Sequence, residues 1–354
     1  MLKRFFLVII FFTSISMLSF FYIKNLKNDN FYYKLKNHYD VSILVAGDSI
    51  GNGVGASKVD LGFSIILKSY LEKKYKVKVN LKNTSMGGNG TYAEYVRVSK
   101  LKKENFDLII ICCGQNDNIQ SIGRYYEALI RTIRSKWPKA EIISVLQSSQ
   151  RDYTKLIQTI KTLDEHYGIV VADTIAPFIN GKNGQYISLA PDGTHPNDKG
   201  YALYAEILEN LIDEGVMKKR KVQDHKKMTE PVFKEALEYS YFLEVPTNIL
   251  LRSNNDFFYQ IDIPDNTHIG IDFNVLKGSN YYEFVINNIA LFTKDFYREW
   301  KTQQQILDLT EYYNLRQSGN VEIKLKFKYT EQADSLKGFF ISSPSPILFN
   351  TTLK

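Results

Sequence analysis

Cysteine is nearly missing from this 354-residue chain: Cys112 and Cys113 stand side by side in an apolar run. Two adjacent thiols exclude a disulfide scaffold and read as buried residues. Metal-binding patterns are also missing. There is no H-E-x-x-H, and no Cys/His cluster has ligand spacing, so no metal is expected. Gly51-Asn52-Gly53-Val54-Gly55 lacks the spacing of a G-x-G-x-x-G loop, and no nucleotide or other cofactor is expected. No internal repeat or low-complexity tract occurs. With 44% hydrophobic and 23% charged residues, disorder, collagen and coiled coil are excluded as well. A net positive charge is missing where the chain should fold. The net +7 is concentrated in residues 1–36 and 218–227, each carrying +5, which leaves −3 on the rest. A nucleic-acid partner is therefore not expected.

What is there begins with an uncharged run, Phe5–Ile23, preceded by Lys3 and Arg4. About 19 residues suffice to cross a bilayer core as a helix, and the leading cations favour a cytoplasmic N-terminus. Phe20-Phe21-Tyr22-Ile23-Lys24 offers no small-residue cleavage site. Residues 1–24 are accordingly expected to be an uncleaved anchor in the cytoplasmic membrane, with a cleaved signal and secretion as the alternative. Either way the remainder lies outside that membrane, where a protein with no paired cysteines has no dependence on oxidation. A polar stretch at 25–39 reads as a juxtamembrane linker.

From residue 40 short apolar runs alternate with amphipathic ones. Val41–Ala46, Val77–Leu81, Leu108–Cys113, Ile142–Leu146 and Ile169–Ala172 predict strands, and helical patterns fall near 61–74, 91–103, 121–136, 153–166 and 198–214. Such alternation over 40–216 implies an α/β domain with a parallel sheet covered on both faces. Ligands of such sheets bind beyond the carboxyl ends of the strands. Residues 217–229 are basic, lack apolar periodicity and read as a solvated linker. Beyond 230 the period changes to two. Val321–Tyr329 and Ile269–Val275 alternate apolar and polar residues, and Phe257–Ile263, Tyr282–Ile286 and Lys337–Ile341 are further strands. Together they predict an all-β, sandwich-like domain over 230–354. Its aromatics Tyr281, Tyr282, Trp300, Tyr312 and Tyr313 fill a core or stack on sugar rings.

Four segments at strand ends carry chemistry. Gly47-Asp48-Ser49 closes the first strand, where a serine sits exposed as a nucleophile or serves as a helix N-cap. Asn83-Thr84-Ser85-Met86-Gly87-Gly88 follows the second strand; its glycines let backbone N–H groups approach a ligand, or make a plain turn. Gly114-Gln115-Asn116-Asp117 follows the third, and the Asn116 amide can donate to a developing oxyanion or close an Asx turn. Asp192-Gly193-Thr194-His195 lies in the loop after the fifth strand. An imidazole beside Ser49 would take its proton, and Asp192 would hold that imidazole in the right tautomer. His38, His166, His225 and His268 have no such neighbours and read as surface or core residues.

In order and placement, G-D-S, N-x-x-x-x-G, G-x-N-D and D-x-x-H resemble the SGNH (GDSL-type) hydrolase family over about residues 40–215. The resemblance implies a three-layer α/β/α, flavodoxin-like domain with a five-stranded parallel sheet. It also implies Ser49 as nucleophile, His195 as base, Asp192 as its orienting partner, and the Ser49 and Gly88 N–H groups with Asn116 as oxyanion donors. Gly88 is preferred to Gly87 because it lies five residues after Asn83. The family spans lipases, thioesterases, O-acetylesterases and O-acetyltransferases. A tethered domain with a β-sandwich companion favours an O-acetylesterase acting on an acylated cell-surface polysaccharide. The alternatives are an O-acetyltransferase served by a membrane acyl donor, a lipase or lysophospholipase, and a non-catalytic glycan-binding scaffold.

Overall fold

A computed structural model describes residues 30–102, 104–180, 186–222, 230–233, 237–244, 256–275, 282–286, 289–292, 303–312, 319–327 and 336–347. The apolar run at 5–23 and the basic tract at 223–229 lie outside these residues. So do Tyr281, Trp300 and Tyr313, and the side chains of Tyr282 and Tyr312 are likewise undescribed. Among the described residues, no helix is long and apolar enough to cross a membrane.

Five strands, β1 (Val41–Gly47), β2 (Val79–Asn83), β3 (Leu108–Cys112), β4 (Glu141–Leu146) and β5 (Val170–Asp173), form one sheet in the order β2-β1-β3-β4-β5. Every neighbouring pair is parallel. β3 and β4 are buried along their whole length; β3 accordingly reads as an unbroken apolar run, and β4 as one apart from the buried Glu141 and Ser144. One face carries α1 (Phe31–Lys36), α2 (Phe63–Tyr75) and α8 (Asp198–Met217); the other carries α3 (Thr91–Lys100), α4 (Ile122–Lys136) and α5 (Lys155–His166). Successive residues of a strand point to opposite faces, so Cys112 enters one core and Cys113 the other. Both are free thiols. Because the chain leaves β1 on one face and enters β3 from the other, a crevice opens beyond the carboxyl ends of these two strands.

The tract at 25–39 is not all linker. Phe31, Tyr32 and Leu35 of α1 are buried against α8, and Asn30 caps the helix by accepting the Tyr33 N–H at 2.9 Å. Between β5 and His195 the chain also forms two short helices, α6 (Ile175–Asn180) and α7 (Tyr186–Leu189), where only a loop had been expected.

Among the described residues, the C-terminal domain forms two four-stranded antiparallel sheets. One has the order β11-β8-β13-β6, from β11 (Gln303–Asp308), β8 (His268–Val275), β13 (Leu336–Ser343) and β6 (Tyr239–Glu244). The other has the order β10-β9-β12-β7, from β10 (Ile289–Phe292), β9 (Tyr282–Ile286), β12 (Gly319–Phe327) and β7 (Asp256–Ile263). A four-residue helix, α9 (Leu309–Tyr312), follows β11.

The first of these sheets docks on the α/β domain. Ile306, Phe340 and Leu237 share one apolar cluster with Tyr92, Tyr95 and Tyr125. The apolar and polar alternation over Ile269–Val275 does not give β8 a solvent-facing side: residues 268–273 are buried without interruption. Gly270 has no room for a side chain, since a Cβ would stand 2.4 Å from the Tyr92 hydroxyl. Asp272 faces Lys100, whose Nζ lies 3.6 Å from its Oδ2 and 3.1 Å from the centre of the Phe242 ring.

Candidate active site

Ser49 stands in the tight turn that follows β1 and is 6% exposed. Its Oγ lies 2.9 Å from His195 Nε2, and His195 Nδ1 lies 2.6 Å from Asp192 Oδ2. Asp192 Oδ1 also accepts the N–H groups of His195 and Thr194 at 2.7 and 2.8 Å. Partial burial works against the Asp192 charge, but these hydrogen bonds from His195 and Thr194 outweigh it and hold the carboxyl down to about 2. An ionised carboxylate only accepts, so Nδ1 carries the ring proton. In the neutral ring this leaves Nε2 as an acceptor facing the Ser49 hydroxyl.

The His195 loop is held from several sides. Asn197 caps α8 by accepting the Gly200 N–H at 3.0 Å. Asp198 Oδ1 accepts the Ser57 N–H at 2.7 Å, tying residues 51–57 to the start of α8. Gly55, at φ +102°, packs so closely that a Cβ would stand 2.5 Å from the Pro196 oxygen and 2.9 Å from His195 Cβ. The glycines after Ser49 therefore serve the approach of one loop to another. Arg151 donates to the Gly193 oxygen at 2.6 Å and lies over the Tyr186 ring.

Gly88 and Asn116 belong to a second cluster joined to the first. The Asn116 side-chain amide donates to the Asn89 carbonyl oxygen at 2.9 Å and keeps a second N–H for another acceptor. Gly88 has φ +73° in the loop between β2 and α3. Asp117, pushed up to about 6 by burial, accepts the Thr91 N–H at 2.9 Å and its hydroxyl at 2.8 Å, fixing the start of α3 beside that loop. Met86 N–H donates to the Gly47 oxygen at 3.0 Å, and Asn83 Nδ2 to the Gly51 oxygen at 2.9 Å. These bonds tie the glycine loop to the serine turn.

Two residues with no assigned role complete the frame. Asp48 is buried beneath Ser49 and accepts from Ile50 N–H at 3.0 Å, Gln115 N–H at 3.3 Å and Gln147 Nε2 at 2.8 Å. Burial pushes its carboxyl up to about 6 against those bonds. Its position beside Ser49 in G-D-S was the available signal. Gln147 had none, because nothing local marks a glutamine at the end of a buried strand as the partner of a residue 99 positions away.

A hydroxyl, an imidazole and a carboxylate in series, beside a glycine loop and a free amide N–H, form an arrangement suited to acyl transfer. Residues 45–203 match the GDSL-like Lipase/Acylhydrolase family. With the fold described above, this match makes residues 45–203 a GDSL-like lipase/acylhydrolase domain. No curated protein matches the sequence. Among solved structures, a two-domain esterase active on acetylated mannans, co-crystallized with mannopentaose, aligns at 17% identity with a TM-score of 0.69, covering 91% of this chain and 95% of that one. A second structure described as a two-domain esterase active on acetylated mannans aligns at 18% identity and a TM-score of 0.64 over the same shares of both chains. The likeness is one of fold, and it extends across both domains.

Proposed function

We propose that the protein is a serine esterase that removes O-acetyl groups from a cell-surface polysaccharide. The observation that carries this reading is the continuous chain from Ser49 Oγ through the His195 ring to Asp192. Ser49 Oγ attacks the ester carbonyl carbon and passes its proton to His195 Nε2. The tetrahedral oxyanion is met by the N–H groups of Ser49 and Gly88 and by the Asn116 amide. Collapse breaks the bond to the sugar oxygen, which takes the proton from His195 and leaves Ser49 acylated. A water molecule then attacks, His195 takes its proton, and the carboxylic acid departs as Ser49 recovers its hydrogen.

The carbohydrate class is supported by the two-domain fold shared with an esterase active on acetylated mannans. Transfer to a sugar hydroxyl would use the same residues, with a membrane partner delivering the acetyl group. The apolar run Phe5–Ile23 supports placing the two domains outside the cytoplasmic membrane, tethered to it.

The test uses the full chain with p-nitrophenyl acetate, p-nitrophenyl palmitate and an O-acetylated oligosaccharide, and Ser49→Ala as control. Ser49-dependent release of acetate from the first and third is expected. Preference for palmitate overturns the carbohydrate assignment, hydrolysis that survives Ser49→Ala overturns the mechanism, and acetyl groups recovered on an added oligosaccharide instead of as acetate identify a transferase.

A further inference from the structure

The free edge of β11, in the C-terminal domain, touches the glycine loop at three points. The Asn89 side chain behaves there like a residue of an adjoining strand: its Oδ1 accepts the Ile306 N–H at 2.9 Å and its Nδ2 donates to the Gln304 oxygen at 3.2 Å. Asn89 Nδ2 also donates to the Gly87 oxygen at 3.3 Å, and Gln305 Nε2 donates to the same oxygen at 3.4 Å. Both side chains are buried. The edge of a sheet offers unpaired N–H and C=O groups, and here a loop from another domain takes them up.

A peptide unit is planar and trans, so its C=O and N–H point in opposite directions. The carbonyl of Gly87 and the N–H of Gly88 belong to one such unit. Two amide donors on the Gly87 oxygen therefore set the direction of the Gly88 N–H. Asn89 also reaches the side-chain donor, because its backbone carbonyl oxygen accepts the Asn116 amide at 2.9 Å.

We propose that β11 completes the oxyanion site of the esterase, with Gln305 and Asn89 as positioning residues that aim the Gly88 N–H and the Asn116 amide at the reacting carbonyl. This rests on the esterase reading above. It makes the C-terminal domain part of the chemistry as well as a neighbour of it, since a donor aimed in advance pays no reorganisation at the moment of reaction.

The experiment compares full-length Gln305→Met, which keeps side-chain length and removes the donor, with the parent and Ser49→Ala on p-nitrophenyl acetate. Active sites are counted from the burst so that kcat is expressed per reactive serine. Gln305→Leu, an apolar side chain with no donor, is a second variant should the first fold poorly. A fall in kcat of about tenfold at a KM within about twofold of the parent is expected, a fraction of the 10²–10³ that loss of a whole donor costs. A purely structural role for Gln305 lowers the number of reactive serines and the melting temperature but leaves kcat per serine unchanged; that result overturns the proposal while Ser49-dependent hydrolysis stands. Absence of Ser49-dependent hydrolysis in the parent overturns the esterase reading, and this proposal with it.

Discussion

Ser49 Oγ and His195 Nε2 lie 2.9 Å apart although 146 positions separate them in the chain. The contact exists because β1 ends where the loop leading into α8 returns to the same rim of the sheet. If it serves proton transfer, either partner alone is indispensable, since a hydroxyl without a base is a poor nucleophile. Ser49→Ala and His195→Ala should each lower kcat on p-nitrophenyl acetate by ~10³-fold or more. The double variant should be no worse than the single ones, because residues that act as a unit are not additive. Additive losses would show that the two side chains act separately.

Asn116 is exposed, and one of its amide hydrogens is held by the Asn89 oxygen. Removing the side chain costs little packing and no buried partner except that carbonyl. Asn116→Ala should therefore leave the melting temperature nearly unchanged while kcat falls by about 10²–10³, the range for loss of one oxyanion donor. A rise in KM at constant kcat would make Asn116 a substrate-binding residue instead.

Asp192 is more exposed than the acid of a typical buried triad, with a side-chain exposure of 56%. Solvent screens its charge, so its main contribution is to fix the ring tautomer through the 2.6 Å bond to Nδ1. Asp192→Asn presents that nitrogen with a choice of donor or acceptor and should lower kcat by roughly 10²-fold, less than the ~10⁴ seen when a buried triad acid is replaced. The wild-type carboxyl titrates near 2, so loss of rate on acidification at any pH above about 4 should persist in Asp192→Asn. A pH profile measured on both proteins decides this.

The sheet was legible because strands buried on both faces are mostly apolar, as β3 is throughout and β4 is apart from Glu141 and Ser144. Three of the four site segments were legible because each begins where a strand ends, at β1, β2 and β3; the fourth, Asp192–His195, lies beyond α6 and α7 and was legible only from its own D-x-x-H pattern. What escaped was whatever depends on distant partners. Asn89 pairs with a residue 217 positions away, and no local pattern encodes that. β11 begins Gln303-Gln304-Gln305, with no apolar periodicity, yet Gln305 is buried because its amide is used across the domain boundary. α1 spans six residues, too short to display a helical period, and three tyrosine and phenylalanine rings among lysines read as a polar linker.

Several buried carboxyls share one direction of perturbation, and this gives the fold a pH dependence of definite sign. Asp164 lies wholly inside the hydrolase domain, where its Oδ1 accepts the Tyr126 hydroxyl at 3.0 Å. Burial pushes its carboxyl up to about 7 against the hydrogen bonds from Ser144 and Tyr126. Glu94 is likewise raised by burial to about 7, against the Arg97 charge and hydrogen bond. A carboxyl whose folded pKa exceeds its unfolded one binds its proton more tightly when folded. The stability it contributes is complete below about pH 4 and is lost as the pH climbs through 7. Asparagine at 164 keeps the neutral shape and an acceptor for Tyr126 without the titration. Asp164→Asn should therefore match the parent's melting temperature near pH 4.5 and exceed it at pH 8. The gain at pH 8 is on the order of 4 kcal/mol at most, the equivalent of the shift from 3.8. Glu94 keeps its own slope in the variant, so the profile flattens without becoming level. Parallel melting profiles for the two proteins between pH 4.5 and 8 would show that Asp164 is ionised at no greater cost inside the fold than in water.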